Sequence, residues 1–359
     1  MNFVLRAYLP FLSGLKPMKL TLALPGLVWP DGHDAKEVLS GLPLPALAYL
    51  LGRGALCPAP AALSALQAGL FGAGALAPAR ALAAQAGLDA AGGDYLLADP
   101  VHLRVNRDRA ELADVGIMKL TQAEADSLVA ALNKLFGEDG LCFHAPEPGR
   151  WLLHVPALPD ARLTPLCDAL GEDVNRLLPA GADGLRWSKL LGEIQMLLYT
   201  HPVNDARAAR GEPTVNSVWL WGGGAPEAAA ALEGPVYCDD AWLASCAKAR
   251  GAAVQPLPWE ADAVLEGGQD ALVWLDRLLA PARYRDAWGY REALAELERA
   301  WFAPLLAALK AGRLSELEIL CDGESGFALT VRAADRWRFW RKARPLASVV
   351  GETLEAPCP

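Results

Sequence analysis

The chain has 359 residues, 53% of them apolar and 21% charged, which excludes a disordered polymer and leaves room for two domains, or for one large α/β domain carrying an insertion. Its net charge of −9 argues against a general nucleic-acid binder. Seven scattered cysteines without a CxxC pair point to reduced thiols rather than to a disulfide framework or a zinc site.

Residues 1–17 are apolar but broken by Arg6, Pro10, Gly14, Lys16 and Pro17, so they read neither as a signal peptide nor as a spanning helix, and Met18 is an alternative start. No run of about 20 apolar residues follows, so the chain is expected to be soluble and cytoplasmic, without membrane contact. Lys19–Leu24 reads as a buried strand. Leu42–Leu51 reads as a helix opened by prolines and stopped by Gly52 and Gly54. The Ala/Leu/Gly/Pro-rich stretch 55–90 predicts short, closely packed helices.

Polar residues increase near Leu96–Arg104, where a new unit is expected to begin. Thr121 and Glu124 form a capping box for a helix over Gln122–Phe136, with Leu128, Leu132 and Leu135 on one stripe. Trp151–Val155 reads as a strand and Ser188–Tyr199 as a helix that ends before His201-Pro202. In HPVNDARAARGEPTVNSVWLWGGG, residues 201–224, Arg207 and Arg210 share a face if the segment is helical. Val218–Trp221 then reads as a buried strand, and Gly222–Gly224 as a loop where backbone can approach a ligand. The alternative is a linker helix, a core strand and a turn.

Beyond this point strand and helix alternate. Pro235–Asp239, Ala271–Leu275 and Leu317–Cys321 read as strands. Ala241–Arg250 and Tyr290–Lys310 read as helices, the second closed by Gly312. The alternation predicts an α/β fold, a three-layer sandwich with a mostly parallel sheet. The sheet is expected to be built from residues 1–95 and 225–359, with an α+β domain inserted at 96–224.

The 201–224 segment resembles the H-P-V-N…R…N…W-x-W-G-x-G segment of the archaeal-type, cofactor-independent phosphoglycerate mutases of the alkaline phosphatase superfamily. Bacterial RpfE-type regulatory proteins look closer still over most of the length. The resemblance runs from about residue 19 to 350 and is strongest in the insert. It implies an alkaline-phosphatase-like core, with 96–224 as the mutase-type lid, and phosphoryl transfer through a Ser nucleophile at two metal ions. The chain departs from that chemistry. Pro25-Gly26 stands where the first Asp ligand would lie, and Cys57-Pro58-Ala59 where a Gly-Ser-Asp nucleophile turn would lie. Asp322 is kept, but Gly323 replaces its His partner, and the final His falls in ADRWRFWRKARP, which has none. The remaining candidates for a displaced site are Asp31-Gly32-His33-Asp34, Asp239, Asp240, Asp286 and Glu324, with Cys57 and Asp322 as catalytic candidates.

Two basic clusters could bind ligands. One is His102, Arg104, Arg107 and Arg109, where guanidinium groups suit phosphate or carboxylate, against an exposed, salt-bridged loop. His201, Asn204, Arg207, Asn216 and Trp221 join it through the resemblance. The other is Arg332, Arg336, Arg338, Arg341, Lys342 and Arg344 interleaved with Trp337, Phe339 and Trp340. As a strand this segment would turn Trp337 and Phe339 to the core, which makes nucleic acid an unlikely partner. Trp242, Trp259, Trp274, Trp288 and Trp301 are expected in the core or a domain interface.

The favoured reading is a catalytically degenerate mutase-like protein with a regulatory or ligand-sensing role, no metal, and a phosphorylated small molecule or a protein as partner. The alternatives are a phosphotransferase or hydrolase with a rebuilt site holding two Mn or Zn ions, and a scaffold or nucleic-acid binder using 332–344.

Overall fold

The computed structural model describes residues 18–59, 61–88, 92–106, 109–113, 118–224 and 230–349. Its strands are β1 (Met18–Ala23), β2 (Ala55–Pro58), β3 (Asp94–Asn106), β4 (Arg109–Ala113), β5 (Cys142–Glu147) and β6 (Arg150–Val155). They continue with β7 (Ser217–Trp221), β8 (Val236–Tyr237), β9 (Val254–Gln255), β10 (Ala271–Trp274), β11 (Leu314–Leu320) and β12 (Phe327–Arg332). Contacts divide the chain into two compact units, Met1–Leu66 with Ala230–Pro359, and Gln67–Ala229.

In the first unit a seven-stranded sheet runs β2-β12-β11-β1-β10-β8-β9. The pairings β11-β1-β10-β8-β9 are parallel, and β12 and β2 close one edge antiparallel. The register places Leu20 and Leu22 of β1 opposite Ala271 and Val273 on one side and Leu317 and Ile319 on the other. All six enter one hydrophobic cluster with Leu47 and Leu50 of the helix Pro45–Arg53 and with Leu305 and Leu309 of the helix Ala303–Ala311. The parallel centre matches the strand–helix alternation. The antiparallel edge does not show in the sequence, because β2 lies in a stretch that reads as short helices and pairs with residues far along the chain.

The second unit carries an antiparallel sheet, β4-β3-β6-β5, with β7 on the free flank of β3. The helices Gln122–Phe136 and Gly184–Tyr199 pack against it through Leu128, Leu132, Trp187 and Ile194. The predicted stripe needs correction: Ala125, Leu128, Val129, Leu132 and Phe136 are buried, whereas Leu135 is 48% exposed. The boundary also differs from the expected 95/96. Residues 67–95 belong to this unit because the Ala79 N–H donates to the Gly222 carbonyl at 3.0 Å and Arg80 pairs with Asp94 at 2.7 Å. Ala79 and Ala83 also join the cluster of Leu97, Leu152 and Trp221.

The tryptophans divide in two. Trp274 and Trp301 are buried, but Trp259 and Trp288 are 59% and 74% exposed, against expectation. The segment after β12 is not a strand: Ala333–Trp337 forms a 3-10 turn. Trp337, Phe339 and Trp340 consequently stand 67%, 79% and 68% exposed rather than in the core. Among the described residues no helix is long and apolar enough to cross a membrane.

Candidate functional site

In a parallel α/β sheet, ligands gather beyond the carboxyl ends of the strands, where loops lack ladder partners. In the first unit, that edge carries Pro25-Gly26 after β1, Asp276 after β10, Cys321 and Asp322 after β11, and Asp239 and Asp240 after β8. Gly26 has a φ of +77°, and a Cβ there would lie 2.9 Å from the backbone of Leu278 and Leu279, so the turn demands glycine. Its N–H donates to Asp322 Oδ1 at 2.7 Å. The neighbouring Tyr290 hydroxyl donates to the Leu27 carbonyl at 2.6 Å, and burial pushes its pKa well up, helped by the Cys321 and Asp322 charges. Burial likewise pushes the Cys321 thiol far up, so it is no thiolate.

The other carboxylates serve local structure. Asp240 caps the helix Ala241–Ala249 by accepting from Leu243 N–H at 2.8 Å, and Asp239 accepts from Leu257 N–H at 2.9 Å. Asp286 caps the helix Ala287–Leu297 by accepting from Gly289 N–H at 2.9 Å. Asp31 accepts from His33 N–H at 2.9 Å and faces Arg285 at 3.5 Å. Burial raises the Asp276 pKa, and the adjacent charges of Asp240 and Asp239 raise it further. Cys57 is disulfide-bonded, against the expectation of reduced thiols throughout, and so offers no thiol nucleophile. Cys142, Cys167, Cys238, Cys246 and Cys321 are free.

Two hard divalent ions would need several Asp and His donors converging at the strand ends. Here the carboxylates accept main-chain N–H bonds, and the unit's one histidine, His33, lies in an exposed turn. Among the described residues no group of three or more His, Cys, Asp or Glu is placed to hold a metal. Among the described residues, the side chains at these strand ends do not fit a dinuclear centre.

In the second unit, the 201–221 residues come together as a polar network. The His201 ring caps the helix Pro202–Ala209, its Nδ1 accepting from Val203 N–H at 3.2 Å. The Asn204 amide donates to the carbonyls of Leu198 and Val215, both at 2.7 Å, and its Oδ1 accepts from Val215 N–H at 2.9 Å. Asn216 accepts from Leu103 N–H at 2.7 Å and donates back to its carbonyl at 2.9 Å. Its main chain also donates to the Val101 carbonyl at 3.2 Å. His102 Nδ1 meets the Thr214 carbonyl at 2.7 Å. Arg207 is fully buried; it donates to the carbonyls of Pro213 and Met118 and pairs with Glu124 at 3.0 Å. The Trp221 indole donates to Asp99 Oδ2 at 2.8 Å, and Asp99 Oδ1 meets Arg150 at 3.1 Å.

Asn204, Asn216, Arg207 and Trp221 thus join helix, loop and strand. Arg104 is exposed on β3, opposite Glu111 of β4. Arg107 lies outside the described residues, as does the side chain of Arg109. Sequence reasoning missed Asp99, Glu124 as partner of Arg207, and Arg150. Only Glu124 carried a local signal, its place in the capping box, and that signal says nothing of a partner 83 residues away.

No protein-family model matches the chain. It is 31% identical over 140 residues to the 2,3-bisphosphoglycerate-independent phosphoglycerate mutase of Methanosarcina mazei, covering 37% of this chain and 34% of that protein. It is 29% identical over 211 residues to the Methanosarcina barkeri enzyme of the same name, covering 55% and 52%. The chain is a distant relative of these mutases. It spans about a third to a half of the length of the curated relatives it matches. A cofactor-independent phosphoglycerate mutase from Thermoplasma acidophilum aligns at TM-score 0.43 with 17% identity over 88% of this chain and 89% of that one. A protein from Pyrococcus horikoshii aligns at TM-score 0.47 with 15% identity over 89% and 88%.

Proposed function

We propose that this chain is a mutase-like protein that has given up two-metal phosphoryl transfer and acts as a regulatory or ligand-sensing protein, like the RpfE-type proteins its sequence resembles. The observation that carries the reading is the Gly26–Asp322 hydrogen bond of 2.7 Å. The turn that would present a first metal ligand presents a main-chain donor instead, and that donor occupies an oxygen of the one retained acidic ligand. A carboxylate engaged this way is a poorer metal donor, and Pro25 offers no ligand in exchange.

The ligand is a phosphorylated small molecule, with Arg104 as its exposed guanidinium, or a protein partner. Metal content of the purified protein by mass spectrometry, a Mn²⁺ titration by calorimetry, and a mutase assay with 3-phosphoglycerate test the proposal together. No stoichiometric metal, no binding heat and no turnover are expected; two bound ions with robust turnover would sink it. A thermal-shift series with 2- and 3-phosphoglycerate tests the ligand, and Arg104→Ala is expected to abolish any upward shift.

A further inference from the structure

The segment 332–344 holds six basic residues against one carboxylate, Asp335, in a chain of net charge −9. Arg332 and Arg338 are ion-paired with Glu316 and Asp335. Arg336 and Arg341 are held differently. Arg336 donates to the Lys310 carbonyl at 2.8 Å, and Arg341 to the Gly54 carbonyl at 2.9 Å. Carbonyls fix a guanidinium in place without cancelling its charge. Gly52 lets the segment approach, since a Cβ there would lie 2.1 Å from the Lys342 carbonyl oxygen.

Three aromatic rings stand beside these charges. Trp337, Phe339 and Trp340 are 67%, 79% and 68% exposed. Exposing that much apolar surface is costly in water, and nothing in β-pairing or core packing asks for it. Trp340 directly precedes Arg341, which with Lys342, Arg344 and the edge strand β2 lines a cavity of about 600 Å³.

We infer that this face binds single-stranded nucleic acid, with Arg341, Lys342 and Arg344 along the phosphates and Trp337 and Trp340 as stacking platforms for bases. The chemistry fits: a basic groove tracks a backbone, and exposed aromatic faces take unpaired bases without sequence preference. Two features favour a strand over an anionic bilayer. The cationic wall is concave, and the rings are not arranged on one face of an amphipathic helix. Duplex DNA is disfavoured because its bases already stack on each other.

The test is fluorescence anisotropy of the full chain with fluorescein-labelled dT20, the matching 20-base-pair duplex, and co-sedimentation with phosphatidylserine/phosphatidylcholine vesicles. Binding of dT20 ahead of duplex is expected, with log K falling against log salt at a slope of about −2, as for three neutralised phosphates. Trp337→Ala and Trp340→Ala are each expected to weaken it about tenfold. Both residues are exposed, so an unchanged melting curve separates lost binding from lost fold. No dT20 binding at 50 mM salt overturns the proposal. So does vesicle binding without dT20 binding, or dT20 binding that both tryptophan variants retain.

Discussion

Arg207 shows how far a side chain's role can stand from its local sequence. Beside Arg210 in an exposed-looking, polar stretch, it reads as a ligand-binding cation. In the fold it is fully buried and satisfied by Glu124 and by the Pro213 and Met118 carbonyls. Removing it leaves the Pro213 and Met118 carbonyls without this donor and takes one cation from Glu124, which keeps Thr121 and Arg210. Arg207→Met is therefore expected to destabilise the protein by about 3–5 kcal/mol, read as a lower urea midpoint at pH 7. Arg207→Lys should recover little, since one ammonium cannot reach three acceptors held in a planar fan. A variant as stable as the parent would show that the network contributes nothing.

The same network predicts a pH dependence. Burial alone would raise the Glu124 pKa. The Thr121 main-chain and hydroxyl donors, Arg210 and the Arg207 charge outweigh it and bring the value down to about 2. A folded pKa below the unfolded one stabilises above the unfolded value of 4.5, and the contribution is lost as pH falls toward about 2. After solvent screening, about 1–2 kcal/mol should disappear over that window. Glu124→Gln should flatten this part of the stability–pH curve; an unchanged slope would assign it to other carboxylates.

At the scale of elements, the helix Pro45–Arg53 is instructive. Its prolines and Gly54 mark the ends in the sequence, but its N-cap, Leu44, makes no side-chain hydrogen bond. The cap comes from Glu298 in the π-helical segment Glu298–Phe302, which accepts from Ala46 N–H at 2.6 Å and Leu47 N–H at 3.1 Å. A buried carboxylate at a helix N-terminus satisfies orphan donors and meets the helix dipole. Glu298→Ala is expected to cost about 2–3 kcal/mol in chemical denaturation. Glu298→Gln, which keeps one acceptor, should fall between. If Ala and Gln cost the same, the capping assignment fails. The Gln122–Phe136 helix is the opposite case, since its capping box and its limits are both written in residues 121–136. Thr121→Ala should cost only about 1 kcal/mol.

For the whole molecule, the separate cores matter most. The cluster around Leu20, Leu317 and Trp301 draws only on the first unit, and those around Leu132 and Trp187 and around Leu97 and Trp221 only on the second. A fragment of residues 67–229 is therefore expected to fold alone, with a cooperative urea transition and the circular dichroism of a mixed α/β protein. A fragment starting at residue 96, where the sequence texture changes, loses the helix Ala79–Gln85 and the Arg80–Asp94 pair, and should be less stable or insoluble. Equal behaviour of the two fragments would place the functional boundary back at 95/96.

The sequence by itself determined the elements whose cause is local. The parallel β1, β10 and β11 show as short apolar runs, β7 as an apolar run closed by Gly222–Gly224, and the Gln122–Phe136 helix as a 3.6-residue period with its own cap. It also showed that no His follows residue 201, because a missing residue type needs no partner to be seen. Tertiary structure decided what depends on residues far apart in the chain. It joined β2 to β12 across some 270 residues, buried Arg207 against Glu124, set Asp322 on the Gly26 amide, and turned Trp337, Phe339 and Trp340 outward. Periodicity along a chain encodes which face of an element is apolar. Which charge meets which acceptor, and whether an aromatic ring finds a core, depend on long-range packing that no local window contains.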